Sequence, residues 1–319
     1  MSQVSRADPT DDLDPGVRRF MTSVNAAYAA HPDYAGLPLT RRRAIAEEIR
    51  KPWRSGGPVM AETRDVTAVG IRMRLHRPVD RTDLPVLLYI HGGGWTLFSI
   101  DTHDRLMREY AARAGVAVVG VDYSLSPEAK FPVALGEVTD AIGWLRQHGR
   151  ELGVDPARLA VGGDSAGANL AVSACLKLRN AGSPLPDALL LNYGAFAPEP
   201  CGSYTRFDGP AYFLEIDEMD AFWSNYVNDP SELTNPLVVP MRADLTGLPP
   251  AFLAIAECDI LADCNHAFAA RLAAAGVVVE PKTYARATHS FLEAVSVSSL
   301  ADEALADAAG FLRRRFDLP

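Results

Sequence analysis

Apolar runs of strand length alternate with segments of helical periodicity along most of this chain. Residues 84–90, 116–123, 159–162 and 188–193 read as buried strands, and they are separated by helical patterns such as 166–180. Strands that alternate with helices predict βαβ units and a parallel sheet covered on both faces. The expected fold class is α/β, with a mostly parallel central sheet flanked by helices.

Two regions depart from this alternation. Helical patterns at 17–30 and 40–50, the second with Thr40 as its expected N-cap, precede the first predicted strand, "VTAVGIRMRLHRP". The segment from about 196 to 236 is rich in aromatic residues and shows no strand pattern. No shift in composition divides the 319 residues, of which 48% are hydrophobic. We therefore predict a single domain over 1–319, with a helical cap from about 1–55 and about 196–236.

Composition and charge exclude several classes of function. The net charge of −9 disfavours a nucleic-acid partner, because such surfaces need clustered Lys and Arg. No apolar run approaches the roughly 20 residues of a membrane span, and the N-terminus lacks the order of a signal peptide. The four cysteines form no C-x-x-C pair and share no zinc-ligand spacing with histidines. We expect a cytoplasmic protein without membrane partner, metal or other cofactor.

The most informative motif is "GDSAG" at residues 163–167, between a predicted strand and a predicted helix. In this context G-x-S-x-G forms a sharp turn that exposes the serine, and the glycines avoid collisions with the neighbouring backbone. The helix that begins at Ala166 directs its N-terminal amides toward the serine oxygen. Ser165 is the predicted nucleophile.

A serine nucleophile needs a base, and in folds of this kind the chain order is serine, acid, histidine. His289 lies on a short loop after the strand-like "VVVEPKTYA", whereas His266 lies within a helical pattern typical of a surface residue. The loop after the preceding strand offers Glu257, Asp259 and Asp263. Glu257 is expected on the strand and Asp263 as a helix cap, so we assign His289 as base and Asp259 as acid.

The sequence "HGGG" at 91–94 follows a buried strand and predicts an oxyanion hole, because glycines let backbone amides approach a substrate oxygen. We assign Gly92, Gly93 and the amide of Ala166 as donors, and His91 as a structural residue of the loop. A phosphate-binding loop is disfavoured, because the following "WTLFSI" contains no lysine and opens no helix.

With these residues placed, the chain resembles the hormone-sensitive-lipase-like branch of the α/β-hydrolases, the bacterial family IV esterases. The motifs "HGGGW", "DTHD", "VDYSLSPEAKFP", "GDSAGAN", "CDILAD" and "HSF" stand in the family's order from about residue 85 to the C-terminus. The resemblance implies a cofactor-free serine hydrolase of short-acyl carboxylic esters, with a helical cap over the acyl and alcohol pockets. It implies a scaffold role for Tyr123, Pro127 and Glu128, and it makes a homodimer through the last strand and helix plausible.

For the substrate pocket we assign Trp95, Phe98, Asp164 and Phe213. Trp95 and Phe98 stand where many relatives differ, so they are expected at the pocket lip. Seven aromatic residues of the 196–236 segment either line an acyl pocket or form the core of the cap: Tyr204, Phe207, Tyr212, Phe213, Phe222, Trp223 and Tyr226.

Three functions fit these residues. The first is hydrolysis of a small-molecule ester through an acyl-enzyme. The second is hydrolysis of small amides or formamides by the same triad, since "HGGGW" also resembles formamidases. The third is a non-catalytic ligand receptor on the same fold, which the presence of His289 disfavours.

Overall fold

A computed structural model describes residues 9–319. Eight strands form one sheet in the described part of the chain. Their bounds are β1 (Glu62–Ala68), β2 (Ile71–Arg77), β3 (Leu84–Ile90), β4 (Ala117–Asp122), β5 (Val154–Asp164), β6 (Ala188–Asn192), β7 (Ala251–Cys258) and β8 (Val279–Thr288).

The spatial order of the strands is β1-β2-β4-β3-β5-β6-β7-β8. All pairs from β4 onward are parallel, whereas β2 is antiparallel to both of its neighbours. The prediction of a mostly parallel sheet is therefore confirmed. The prediction of a single strand over 66–78 is wrong, because the chain turns at Val69 and Gly70 and forms a hairpin. Both turn residues have positive φ, and Gly70 accepts this conformation without strain.

Helices cover both faces of the sheet. Their bounds are α1 (Pro15–Ala29), α2 (Leu39–Arg54), α3 (Asp104–Ala114), α4 (Val133–His148), α5 (Ala166–Asn180), α6 (Gly202–Phe207), α7 (Ile216–Tyr226), α8 (Ala262–Ala274) and α9 (Ser299–Arg315). No helix of residues 9–319 is long and apolar enough to cross a membrane. Thr40 is not the N-cap of α2, because the helix begins one residue earlier, after Pro38.

The regions predicted as a cap pack against each other. Phe20 of α1 contacts Trp53 of α2 edge-on, with ring centroids 4.8 Å apart. The same ring lies 5.6 Å from Phe213, which precedes α7. These contacts support the proposed cap, and residues 1–8 of its expected range lie outside the described residues.

The parallel topology gathers the functional loops at one edge of the sheet. The glycine loop follows β3, Ser165 follows β5, Asp259 follows β7 and His289 follows β8. Since these strands are parallel, their carboxyl ends lie on the same side, where open α/β sheets bind ligands. Residues far apart in sequence therefore meet above this edge.

Candidate active site

Ser165 lies on a sharp turn between β5 and α5, with φ 52° and ψ −117°. A Cβ at Gly163 would lie 2.2 Å from the carbonyl oxygen of Ile90, and one at Gly167 would lie 2.0 Å from the same atom. Both positions therefore require glycine. This crowding presses the turn against β3 and holds the serine at the edge of the sheet, as the motif predicts.

The structure brings Ser165, His289 and Asp259 together. His289 Nε2 lies 3.0 Å from the Ser165 hydroxyl oxygen, and His289 Nδ1 lies 2.7 Å from Asp259 Oδ2. The other carboxylate oxygen of Asp259 accepts a hydrogen bond from the Leu261 amide at 3.0 Å. All three side chains are buried. This is the geometry of a nucleophile, a base and a carboxylate that orients the base.

The electrostatic surroundings of His289 favour its protonated form. Burial alone would lower the pKa of the imidazole, but the adjacent Asp259 carboxylate and its hydrogen bond outweigh this effect. The pKa of His289 therefore lies above its usual value. A raised pKa stabilises the imidazolium that forms when the serine loses its proton.

The candidates rejected from sequence lie elsewhere. His266 is exposed on α8. Glu257 lies on β7, and its carboxylate accepts a hydrogen bond from the Arg286 amide. The sequence predicted Asp263 as the cap of α8, and this is wrong. Asp263 lies within the helix and forms an ion pair with Arg206 at 2.8 Å.

One predicted oxyanion donor needs correction. The Gly92 amide already donates a hydrogen bond to Asp164 Oδ1 at 3.1 Å, so it is not available to a substrate. Gly93 and Gly94 line the cavity, and within the described residues neither amide has a hydrogen-bond acceptor. The amide of Ala166 starts α5 beside Ser165. The available donors are therefore Gly93, Gly94 and Ala166.

Asp164 connects the serine turn to the glycine loop. Besides the Gly92 amide, its carboxylate accepts a hydrogen bond from the Tyr89 hydroxyl at 2.8 Å and one from His103 Nε2 at 3.3 Å. Burial would raise the pKa of Asp164, but His103 outweighs this and lowers it. Asp164 reaches the cavity wall, yet its carboxylate is engaged by protein donors rather than open to a substrate. Sequence reasoning missed Tyr89 and His103, although the "DTHD" motif contains the latter.

A second set of contacts supports the glycine loop from below. The Tyr123 hydroxyl donates to the His91 carbonyl at 3.1 Å, and the two rings stack at 4.3 Å. Burial lowers the pKa of His91 to about 4, so the imidazole is neutral at ordinary pH. Arg43 of α2 donates to the Thr96 carbonyl and to the Glu128 carboxylate. These contacts fit the scaffold role expected for Tyr123 and Glu128.

Ser165 and His289 lie at a cavity of about 230 Å³. Phe98 and Phe213, both expected there, lie on its wall. Trp95 does not, because its side chain is fully buried and stacks on Tyr226 with ring centroids 4.4 Å apart. The lip position expected for Trp95 is therefore wrong.

The aromatic residues of the 196–236 segment divide between the two roles left open. Phe213 and Phe222 line the cavity. Trp223 and Tyr226 pack with Trp95 in the interior of the protein. Within residues 9–319, no group of three or more His, Cys, Asp or Glu side chains could hold a metal ion.

Comparisons with known proteins agree with this architecture. Residues 87–293 match the model of a family described as having an alpha/beta hydrolase fold. The chain is 36% identical over 313 residues to the carboxylesterase NlhH of Mycobacterium tuberculosis, across 95% of this chain and 96% of that protein. It is 34% identical over 278 residues to the acetyl esterase of Salmonella paratyphi B, across 85% of each. Among solved structures, the chain is similar to an ester hydrolase from the metagenome of Lake Arreo, complexed with a derivative of bipyridine phosphonate. The two superpose with a TM-score of 0.89 at 33% sequence identity, and the match covers 96% of this chain and 99% of that one.

Proposed function

The chain belongs to the hormone-sensitive-lipase-like branch of the α/β-hydrolase family and is a carboxylic ester hydrolase; on this premise we propose that Ser165, His289 and Asp259 perform the hydrolysis through an acyl-enzyme. The observation that carries the proposal is the continuous hydrogen-bonded chain from Asp259 through His289 to Ser165, with distances of 2.7 Å and 3.0 Å. A lone serine hydroxyl is a weak nucleophile, and this arrangement supplies its base.

The acylation step follows from this geometry. His289 Nε2 takes the Ser165 proton as the serine oxygen bonds to the ester carbonyl carbon, and the carbonyl oxygen becomes an oxyanion. The amides of Gly93, Gly94 and Ala166 stabilise that charge. His289 then protonates the leaving alcohol, and the acyl group stays on Ser165.

Deacylation repeats the same roles with water as the nucleophile. His289 takes a proton from the water, whose oxygen attacks the acyl carbon, and returns a proton to Ser165 as the acid product leaves. Asp259 holds the imidazole in the tautomer that has Nε2 free to accept a proton, and it stabilises the imidazolium in both steps.

An active-site label tests the assignment directly. A reactive aryl phosphonate should modify Ser165 at one equivalent per chain and remove activity in proportion, and peptide mapping by mass spectrometry locates the label. A label on another residue that removes activity would overturn the assignment of Ser165.

The findings favour ester hydrolysis over the two alternatives. The relatives are named carboxylesterase and acetyl esterase, and the residues for an acyl-enzyme are assembled here, which a non-catalytic receptor would not need. Matched aryl acetates and aryl acetamides separate ester from amide hydrolysis. We expect a clear preference for the acetate.

Short-acyl esters suit the size of the cavity. Its volume of about 230 Å³ lies below the roughly 300–1,000 Å³ of typical ligand pockets. A series of p-nitrophenyl esters from acetyl to decanoyl should show the highest kcat/KM at the short end. A maximum at octanoyl or decanoyl would contradict this substrate class.

Two expectations from the sequence stay predictions. β8 is the edge strand of the sheet, which supports a homodimer through β8 and α9. Light scattering after size-exclusion chromatography would give the oligomeric state. The cytoplasmic location likewise stays a prediction, which cell fractionation would test.

A further inference from the structure

Arg50 of α2 places a buried cation on the wall of the catalytic cavity. Its side chain is only 3% exposed. The guanidinium carbon lies 4.9 Å from the ring centre of Phe98 and 5.3 Å from that of Phe213, both of which also line the cavity. Aromatic faces stabilise a cation, but they do not accept its N–H groups in the way that oxygen atoms do.

The ion pair with Glu293 leaves two nitrogen atoms of the Arg50 guanidinium without a hydrogen bond. Glu293 Oε2 lies 3.0 Å from Arg50 Nε, and the Glu293 side chain is 9% exposed. Nevertheless, both Nε and Nη1 of Arg50 are buried without a hydrogen-bond partner among the described residues. An unsatisfied buried donor is costly, and a guanidinium has five N–H groups to satisfy. A group supplied by the substrate would satisfy such a donor.

From this we infer that Arg50 forms a polar subsite of the catalytic cavity, which binds an uncharged acceptor oxygen on the non-reacting part of the ester. A ketone, an ether or a second ester group provides such an oxygen. The inference rests on the proposed function, since it concerns the substrate that Ser165 attacks. It changes the expected substrate class from plain short alkyl esters to short esters that carry an additional oxygen.

The charges on the cavity wall decide between a neutral and an anionic acceptor. Glu293 and the exposed Glu218 line the same cavity as Arg50, so two carboxylates accompany one guanidinium. The other charged or titratable groups on the wall are already paired: His103 with Asp164 at 3.3 Å, and His289 with Asp259 at 2.7 Å. A substrate carboxylate would meet repulsion from Glu293 and Glu218, whereas a neutral oxygen would not.

Isosteric substrate pairs test the subsite in the unmodified enzyme. On the acyl side, ethyl 4-oxopentanoate is compared with ethyl 4-methylpentanoate, in which a methyl group replaces the ketone oxygen. On the alcohol side, 2-methoxyethyl acetate is compared with butyl acetate. Hydrolysis is followed by pH-stat titration. We expect a preference of about tenfold or more for the oxygen-bearing member of at least one pair, since a hydrogen bond from a charged donor has this effect.

Substitution of Arg50 should remove that preference. R50M keeps an unbranched side chain but removes the guanidinium donors, and R50M/E293Q also removes the carboxylate that R50M would leave unpaired. In both variants the ratio of kcat/KM within the responsive pair should fall toward one. Arg54→Met, on the same helix but not on the cavity wall, is the control and should keep the wild-type ratio.

The outcomes separate this inference from the proposed function. Absence of a preference in both wild-type pairs would overturn the subsite, and this test needs no variant to fold. An equal loss of kcat/KM for both members of a pair in the Arg50 variants would assign Arg50 a structural role only and also overturn it. A wild-type preference for monoethyl succinate over ethyl 4-oxopentanoate would overturn the uncharged acceptor. Failure to hydrolyse any of these esters would instead contradict the proposed function.

Discussion

Asp164 Oδ1 accepts a hydrogen bond from the Gly92 amide at 3.1 Å, which joins the residue before the proposed nucleophile to the glycine loop. The serine turn and the glycine loop follow different strands, β5 and β3. This bond therefore links the turn that carries Ser165 to the loop that carries Gly93 and Gly94, the proposed oxyanion donors. Catalysis by oxyanion stabilisation depends on such donors being in place before the reaction begins.

Replacing Ser165 by Ala should remove ester hydrolysis while the protein stays folded. Loss of a triad nucleophile typically lowers kcat by roughly a million-fold, and the substitution removes a single oxygen atom. Initial rates on p-nitrophenyl acetate and the circular dichroism spectrum are the measurements. Ser173→Ala, at a buried serine within α5, should keep the wild-type rate. Retained activity in Ser165→Ala would refute the nucleophile.

The pH dependence should report the ionisation of His289. The neutral imidazole is the base, and the Asp259 carboxylate holds the pKa of His289 above its usual value, against the lowering effect of burial. Activity should therefore fall as the pH drops through a midpoint above that of an ordinary histidine, about 6.5. The measurement is kcat/KM against pH in buffers of constant ionic strength. A rate that stays level from acid to neutral pH would count against His289.

Replacing Asp259 by Asn should lower kcat and shift the same pH profile. By analogy with other triads, kcat should fall by about 10,000-fold, because the wrong tautomer of the imidazole is favoured. Without the carboxylate charge the pKa of His289 should fall, so the acid limb should move to lower pH. Glu257→Gln, at the rejected candidate on β7, is the matched control and should change neither quantity.

Replacing Gly92 by Ala should disturb the oxyanion donors without touching the triad. The added Cβ would lie 2.3 Å from Asp164 Oδ2, so the glycine loop and the serine turn must separate. Loss of one oxyanion donor costs roughly 100- to 1,000-fold in kcat, and we expect an effect at the lower end of that range. Gly136→Ala is the control, since a Cβ at that position of α4 meets no atom within 4 Å. An unchanged kcat in Gly92→Ala would contradict the linkage.

Several features of the fold follow from local sequence patterns. The apolar runs 84–90 in β3 and 159–162 in β5 are buried throughout, and β7 is buried except at Glu257. Gly115, in the left-handed conformation, ends α3, a position where glycine is common. The local pattern failed at the hairpin of β1 and β2, because one long strand and two paired strands can show the same alternation of apolar and polar residues. In the alternating stretch over 66–78 the local sign of the turn is Gly70, because Val69, which also has positive φ, has no turn preference.

The sequence by itself determined the order of most strands and helices, the sharp serine turn and the candidates for nucleophile, acid and base. These depend on residue type and on chain order, and both can be read along one dimension. Only the tertiary structure decided that the Gly92 amide donates its hydrogen bond to Asp164. It also decided that Trp95 stacks on Tyr226 away from the cavity, and that Arg50 lies on the cavity wall. Such outcomes depend on which side chains approach one another across layers of the fold, and the spacing of residues along the chain does not encode those distances.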